Sequence, residues 1–577
     1  MKKGRLEHWF GRERIIQYVL ILLALIPPLY YIFGPLEGLL HSDFTDTIYW
    51  AKTSVESGRM LDPNFAYAGI LPFGANLWYI PLLLMFGLTM TVQKIGLVIF
   101  LLLFVFAICF VGKTLGLSPI WRGLTVFVIT LGLSQSEKTL EIMWGHVIYY
   151  SLGALLYFLG LALMIRSSGF FSERFAPGDA QYSVLYAASG RRRLLYFILF
   201  MLLTIGTGTN GFQMMAMYML PLAGALVLER LFERRSQLHD PITKDVVWQV
   251  LAMIFATFVG VVLLVIMRRG GVRAPYAHLY SMYSETARWG DNAGRLLPSL
   301  YRLFDLNPQS NDLIFNPLTL HIPLKLAAIA LIIVVPIIYT RKFDARPRAL
   351  RLVILAHWIQ TAILLYTFVF GLMSSAPWRL VPLIISSLFI CMLAVHEWLT
   401  KRKKHETTVR YRLAHISLTI LLVFSLFGAL KIFSYSPDYQ ANPHLHTLKT
   451  VLEERELRHG YASFWHAQAI NLLSDDRIKI RTVEPTENGI VKRHYQTRSN
   501  WFEDQPGVDR YFLALAWHEL AALESAGQLE HVLDGVIDSF DTDHYTVYIY
   551  PFNIMTHPPA EVSPEPTVED KTEATIP

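Results

Sequence analysis

Two aspartates stand three residues apart in His41-Ser42-Asp43-Phe44-Thr45-Asp46-Thr47, a polar stretch directly after a hydrophobic run. On a helix that spacing puts both carboxylates on one face. A carboxylate at a membrane surface can act as a general base and take the proton from a hydroxyl. Two of them could also share a divalent cation, Mg2+ or Mn2+. A plainer reading has Asp43 capping a helix that runs from Thr45 to Glu56, and the two readings are compatible.

A second acidic turn carries Glu137 and Glu141, with His146 at the start of the next helix. It reads either as a solvated loop or as a second wall of the same cavity. Asn210 follows Thr204-Ile205-Gly206-Thr207-Gly208-Thr209. Those glycines suit close helix packing better than phosphate cradling, because no nucleotide-loop lysine follows. Arg268, Arg269 and Arg273 open a large loop, and Arg379 lies at a helix mouth behind Pro377-Trp378. Guanidinium forks match phosphate. Anchoring on lipid head-groups, with Trp378 at the interface, accounts for these arginines equally well. Tyr276, His278, Tyr280 and Tyr283 could line a sugar site or mark an interfacial helix. No metal-ligand spacing, serine nucleophile elbow or ATP-binding signature is present, which argues against primary active transport by this chain alone.

A membrane must position these residues. The chain is 53% hydrophobic over 577 residues, too apolar for a soluble protein of its length. About eleven runs approach the ~20 residues that cross a bilayer. They lie at residues 15–34, 94–112, 120–134, 147–165, 194–209, 211–229, 247–267, 323–340, 352–373, 380–399 and 413–433. Lys2, Lys3, Arg5, Arg12 and Arg14 precede the first run and predict a cytoplasmic N-terminus, so Asp43 and Asp46 emerge on the far face. That run lacks a small-residue cleavage site and reads as a retained anchor.

Residues 70–90 pose a choice. They are apolar enough to cross, yet they hold Pro72, Gly74, Asn76, Pro81 and Gly87. If they lie in the interface, the clusters at Arg191 to Arg193, Arg341 to Arg351 and Lys401 to Lys404 all face the cytoplasm. If they cross, those clusters face outward. Charge distribution selects the interfacial helix. The net charge of +6 is then topological and implies no nucleic acid. Cys109 and Cys391 sit inside apolar runs and report no redox compartment.

The reading is therefore a mainly α, polytopic membrane protein with a cytoplasmic segment 1–14 and outside loops at 35–93 and 268–322. From residue 434 the composition turns mixed. A small extracytoplasmic α/β domain is expected to about residue 556. It has an amphipathic stretch from Leu448 to Leu457 and strands at 478–483, 511–515 and 545–550. The tail 557–577, rich in Pro, Glu and Thr, is expected to be disordered.

This order of features resembles the GT-C superfamily of membrane glycosyltransferases: a first helix from the cytoplasm, an outside loop with the early acid Asp43, the interfacial stretch Ile70 to Met90, a span ending at Gly112-Lys113-Thr114-Leu115-Gly116, and an outside C-terminal domain. The resemblance covers about residues 10–433. It implies sugar transfer from a polyprenyl-phosphate donor to a glycan, lipid or protein acceptor outside the cytoplasm, with inversion at the anomeric carbon. Asp43 would be the base, with Asp46 the second choice. The donor phosphate would fall to Arg379, then Arg273 or Arg269. Asp46, Glu137, His146 and Asn210 would position substrate or a cation. Two departures leave the sugar and acceptor open. The paired acids are not adjacent as in protein O-mannosyltransferases, and no tryptophan-rich oligosaccharyltransferase motif is visible. The alternative is a transporter or flippase, which should carry ionisable residues inside its spans. The spans here are nearly free of charge. A third reading, an assembly protein acting through its C-terminal domain, would make Asp43 dispensable.

Overall fold

The structure, a computed structural model, describes residues 3–168, 190–233, 242–275, 279, 282–306, 321–372, 375–400 and 409–557. The chain divides into two units, Met1–Ala441 and Asn442–Pro577.

The first unit is helical, and every expected span falls on a helix. Nine helices among the described residues are long and apolar enough to cross a membrane. They include α1 (Lys3–Phe33), α4 (Met90–Thr114), α6 (Tyr149–Ser167), α8 (Gly211–Glu233) and α9 (Ile242–Met267). The others are α10 (His321–Thr340), α11 (Arg348–Phe370), α12 (Val381–Thr400, extended by the turn Pro377–Leu380) and α13 (Val409–Phe433). The remaining two expected spans also fall on helices. α5 (Pro119–Gly132) has 14 residues, about 21 Å at 1.5 Å per residue, and leads from the Thr114 end of α4 to the loop whose His146 meets Asp46. α7 (Gly190–Gly208) spends its first turn on Arg191, Arg192 and Arg193.

Between α1 and α4 lie α2 (Asp46–Ser57) and α3 (Asn76–Phe86). With 11 residues, α3 is about 17 Å long and cannot cross. A contact makes the same point. The loop after α1 holds Asp46 and the loop after α5 holds His146, and these side chains meet at 3.3 Å. A crossing at residues 70–90 would put them at opposite ends of the bundle. The other expected outside segments join them: Tyr67 N–H donates to the Arg273 carbonyl, and Leu372 N–H to that of Met282, each at 2.9 Å. At the opposite end, Arg348 and Arg351 clamp the fully buried Glu229 at 3.1 and 2.6 Å, Arg346 pairs with Glu397, and Arg166 Nε donates to Thr114 at 2.7 Å.

Close packing explains the glycines before Asn210. A Cβ on Gly260 of α9 would lie 2.4 Å from the Ile205 carbonyl, and one on Gly208 would lie 2.9 Å from that of Thr257. Only glycine lets α7 and α9 approach so closely.

The second unit is built on one six-stranded sheet. Its strands are β1 (His459–Ala462), β2 (Lys479–Thr486), β3 (Gly489–Lys492), β4 (Tyr511–Ala516), β5 (Asp538–Asp541) and β6 (Tyr545–Tyr550). Their order is β3-β2-β1-β4-β6-β5. β1 runs parallel to β2 and β4, and the outer pairings are antiparallel. β2, β4 and β6 fall on the three expected runs. The amphipathic stretch lies in α14 (Pro443–Glu454) and its C-terminal turn. Tyr461, Val483, Leu513, Leu515, Tyr548 and Tyr550 form the core of one face. Tyr276, His278, Tyr280, Lys401 to Lys404 and the tail from residue 558 lie outside the described residues.

The two-ended arrangement is testable with a membrane-impermeant maleimide. In a background lacking Cys109 and Cys391, exposed Arg59→Cys and Glu137→Cys should label from one side of sealed vesicles, and Lys342→Cys from the other. Labelling of Arg59→Cys and Glu137→Cys from opposite sides would contradict the non-crossing α3.

Candidate active site

The polar stretch after α1 begins with a single tight turn, Ser42–Thr45, and continues into α2. Thr45 hydroxyl bonds the Ser42 carbonyl at 2.6 Å and holds the turn. Asp43 does not cap the helix: the N-cap residue of α2 is Thr45, and no side chain caps it. The Asp43 carboxylate therefore remains available. Gln93, in the first turn of α4, donates to the Phe44 carbonyl at 2.9 Å and pins the stretch from beneath.

The facing wall is Ser136 to His146. Ser136 and Thr139 cap the short helix Glu137–Leu140 reciprocally. The chain then widens into a π turn, Glu141–Gly145, a feature often found where a helix is bent to serve a site. Gly145 lies against the Phe44 ring, where a Cβ would sit 2.1 Å from it. The two walls thus interlock at a contact that admits no side chain.

Charge is arranged across this seam. Glu141 accepts from Lys138 at 2.7 Å through both oxygens and faces His41 Nε2 at 3.6 Å. Burial alone would raise the Glu141 pKa, but the hydrogen bond and charge of His41, with Lys138, bring it down to about 2. Burial pushes the His41 pKa down, yet bonding to Glu141 and the charge of Asp43 more than reverse this. Asp43 is held above the usual carboxylate range, first by burial and then by the neighbouring charge of Asp46. Burial lowers His146 to about 4, so its imidazole is neutral near pH 7. Its Nε2 can then donate to Asp46, leaving Nδ1 an acceptor without a partner among the described residues.

Among the expected site residues, Asp43, Asp46 and His146 come together. Glu137 is exposed, at the first position of its short helix, while Glu141 is the acid that enters the cluster. Nothing in the sequence ranks Glu141 above Glu137. Their difference arises from the turn that folds one inward. Trp378 supplies a third wall, with the Lys138 ammonium 4.6 Å above its ring, and Arg379 follows it half-buried. The backbone of Arg273 pairs with Ala66 of the first wall while its side chain is exposed. Arg269 is exposed in the same loop. Asn210 is buried between α7 and α8, with neither amide atom bonded among the described residues. Tyr283 hydroxyl meets that of Tyr366 at 2.5 Å. No group of three or more His, Cys, Asp or Glu among the described residues can hold a metal ion. Asp46 faces the His146 imidazole.

A helical membrane bundle with a non-crossing helix after its first span, followed in sequence by an α/β unit, is a fold found in solved structures. ArnT from Cupriavidus metallidurans in the apo state overlays with a TM-score of 0.55 at 11% identity, over 94% of this chain and 99% of that one. The crystal structure of ArnT from the same organism bound to undecaprenyl phosphate gives 0.52 at 12% identity, over 92% and 97%. At such identity the likeness is one of fold. No family model and no curated protein matches the chain.

Removing the Glu141 carboxylate leaves His41 and Lys138 uncompensated. Glu141→Ala should destabilise the protein by about 3 kcal/mol, read as a lower midpoint of thermal unfolding in detergent. Glu137→Ala should cost no more than about 0.5 kcal/mol. Because the Glu141 pKa is depressed, its contribution is complete above the ordinary carboxylate pKa of about 4.3 and is lost as pH falls towards about 2. The gap between wild type and Glu141→Ala should therefore close over that interval. Equal effects of the two substitutions would refute this assignment.

Proposed function

We propose that this protein is an integral-membrane glycosyltransferase that moves a sugar from a polyprenyl-phosphate carrier to an acceptor on the non-cytoplasmic side. The observation that carries the proposal is the enclosed acid–imidazole cluster of Asp43, Asp46, His146, Glu141 and His41 at one end of a GT-C-type bundle. ArnT, with the same fold, binds undecaprenyl phosphate, which supports a lipid-phosphate donor here. The basic clusters at the opposite end support a cytoplasmic placement of that end.

In this mechanism Asp43 takes the proton of the acceptor hydroxyl. The freed oxygen attacks the anomeric carbon from the face opposite the phosphate. The bond from that carbon to the phosphate oxygen breaks, and the electron pair leaves with the polyprenyl phosphate. A single displacement of this kind inverts the anomeric centre. Arg379, with Arg273 and Arg269 as further candidates, neutralises the charge that develops on the leaving phosphate. Asp46 raises the proton affinity of Asp43 and orients His146, whose unbonded Nδ1 can receive a substrate hydroxyl. A carboxylate with a raised pKa is a stronger base.

Two measurements test the reading, both in proteoliposomes with an undecaprenyl-phosphate-linked sugar. Asp43→Asn should reduce transfer by 10²- to 10⁴-fold, roughly the worth of a general base. Transfer at the wild-type rate would remove Asp43 from the mechanism. Asp46→Asn removes the charge that raises Asp43, so the acid limb of the pH–rate profile should move to lower pH. An unmoved limb would mean that another group titrates there.

A further inference from the structure

The sheet of the second unit has one switch point. From β1 the chain passes through α15 (Phe464–Leu473) to β2 on one side, and later returns to β4 on the other side of β1. β1 and β4 are parallel neighbours with Ala462 opposite Ala514. Their outgoing helices take opposite faces. Leu523 of α16 (Trp517–Ser525) packs with Tyr461, Leu513 and Leu515. His466 of α15 bonds Tyr545, which alternates with Tyr548 and Tyr550 and so lies on the other face. Neighbouring strands whose connections part in this way open a crevice beyond their carboxyl ends, where open α/β sheets take ligands.

The side chains at this edge fit a ligand. Trp465 and Trp517 hold matching positions, each three residues past the Ala462–Ala514 pair, and are 45% and 54% exposed. A histidine follows each, His466 and His518. The His544 ring lies 4.4 Å from His444, 6.3 Å from His466 and 6.5 Å from His518, centroid to centroid. Burial, with the neighbouring imidazoles, lowers His466 to about 3 and also depresses His444. Neutral rings offer one donor and one acceptor each.

Ser463 adds an independent sign. It is the N-cap residue of α15 and 6% exposed, yet its hydroxyl neither caps the helix nor bonds anything else among the described residues. A buried hydroxyl left unbonded is unfavourable until a partner arrives. Glu519 is already engaged, accepting the Ala516 N–H at 2.8 Å, and its negative charge disfavours an anion nearby.

We infer that the carboxyl edge of β1 and β4 is a binding site for a neutral glycan. Its sugar rings lie on the indoles of Trp465 and Trp517, and its hydroxyls bond Ser463 and the histidines. Flat indole faces attract the polarised C–H groups of a sugar ring, and uncharged donors and acceptors match its hydroxyls. The site is distinct from the Asp43 cluster and does not require the transferase mechanism.

The test uses full-length protein in nanodiscs with maltotetraose, mannotetraose and chitotetraose, followed by saturation-transfer NMR and calorimetry. At least one tetrasaccharide should bind. The double variant Trp465→Ala/Trp517→Ala should weaken that binding at least tenfold, and Asp43→Asn should leave it unchanged. Ser463→Ala should weaken it severalfold without lowering the thermal midpoint. The inference falls if no tetrasaccharide binds, or if the double variant binds as wild type does. It falls equally if the double variant changes oligomeric state with sugar binding intact, which would assign the indoles to a protein contact. Loss of binding in Asp43→Asn would move the sugar to the Asp43 cluster and likewise overturn it.

Discussion

A carboxylate buried at the end of a helical bundle must be matched by positive charge, and Glu141 meets this requirement across two separate chain segments. It takes Lys138 from its own turn and faces His41 from the segment after α1. The pairing couples two loops that the sequence places about one hundred residues apart. It fixes the height of the second wall, and with it His146 against Asp46. The cation that holds Glu141 also lies over Trp378 and brings in a third segment. This charge match joins the Gly145–Phe44 and Asp46–His146 contacts in setting the register of the walls.

Topology follows from the same seam. The segments that meet there can share one end of the bundle only if α3 does not cross, and its 11 residues agree. Local chemistry agrees as well. Thr45 rather than Asp43 stands at the start of α2, which spares a carboxylate that would otherwise be spent on capping. Asp43 then sits half-buried beside a second acid, a setting that raises its proton affinity. Structure and proposed role are linked by that single property.

Much of this was legible in the residues. Apolar length located the helices, and the distribution of arginine and lysine separated interfacial from crossing segments. Asp43 and Asp46 were visible because acids beside lipid are costly. α5 and α7 lie on two of the expected spans but fall outside the nine long apolar helices, one because it has 14 residues and the other because its first turn carries three arginines. Glu141 was no more visible than Glu137, since the π turn that begins with it and ends at Gly145 against Phe44 is a tertiary feature. Three strands of the second unit showed by alternation, while β1, β3 and β5, of four residues each, were too short to carry a period. The histidines at its sheet edge come from three helices and the turn before β6 and share nothing in sequence.

The most direct test of the central claim is a cryo-electron microscopy map of the protein with undecaprenyl phosphate bound. Density for the lipid phosphate should lie at the end of the bundle that holds His41, Asp43 and Glu141, within reach of the Asp43 carboxylate and an arginine. Phosphate density at the opposite end, beside Glu229 and Arg351, would contradict the account.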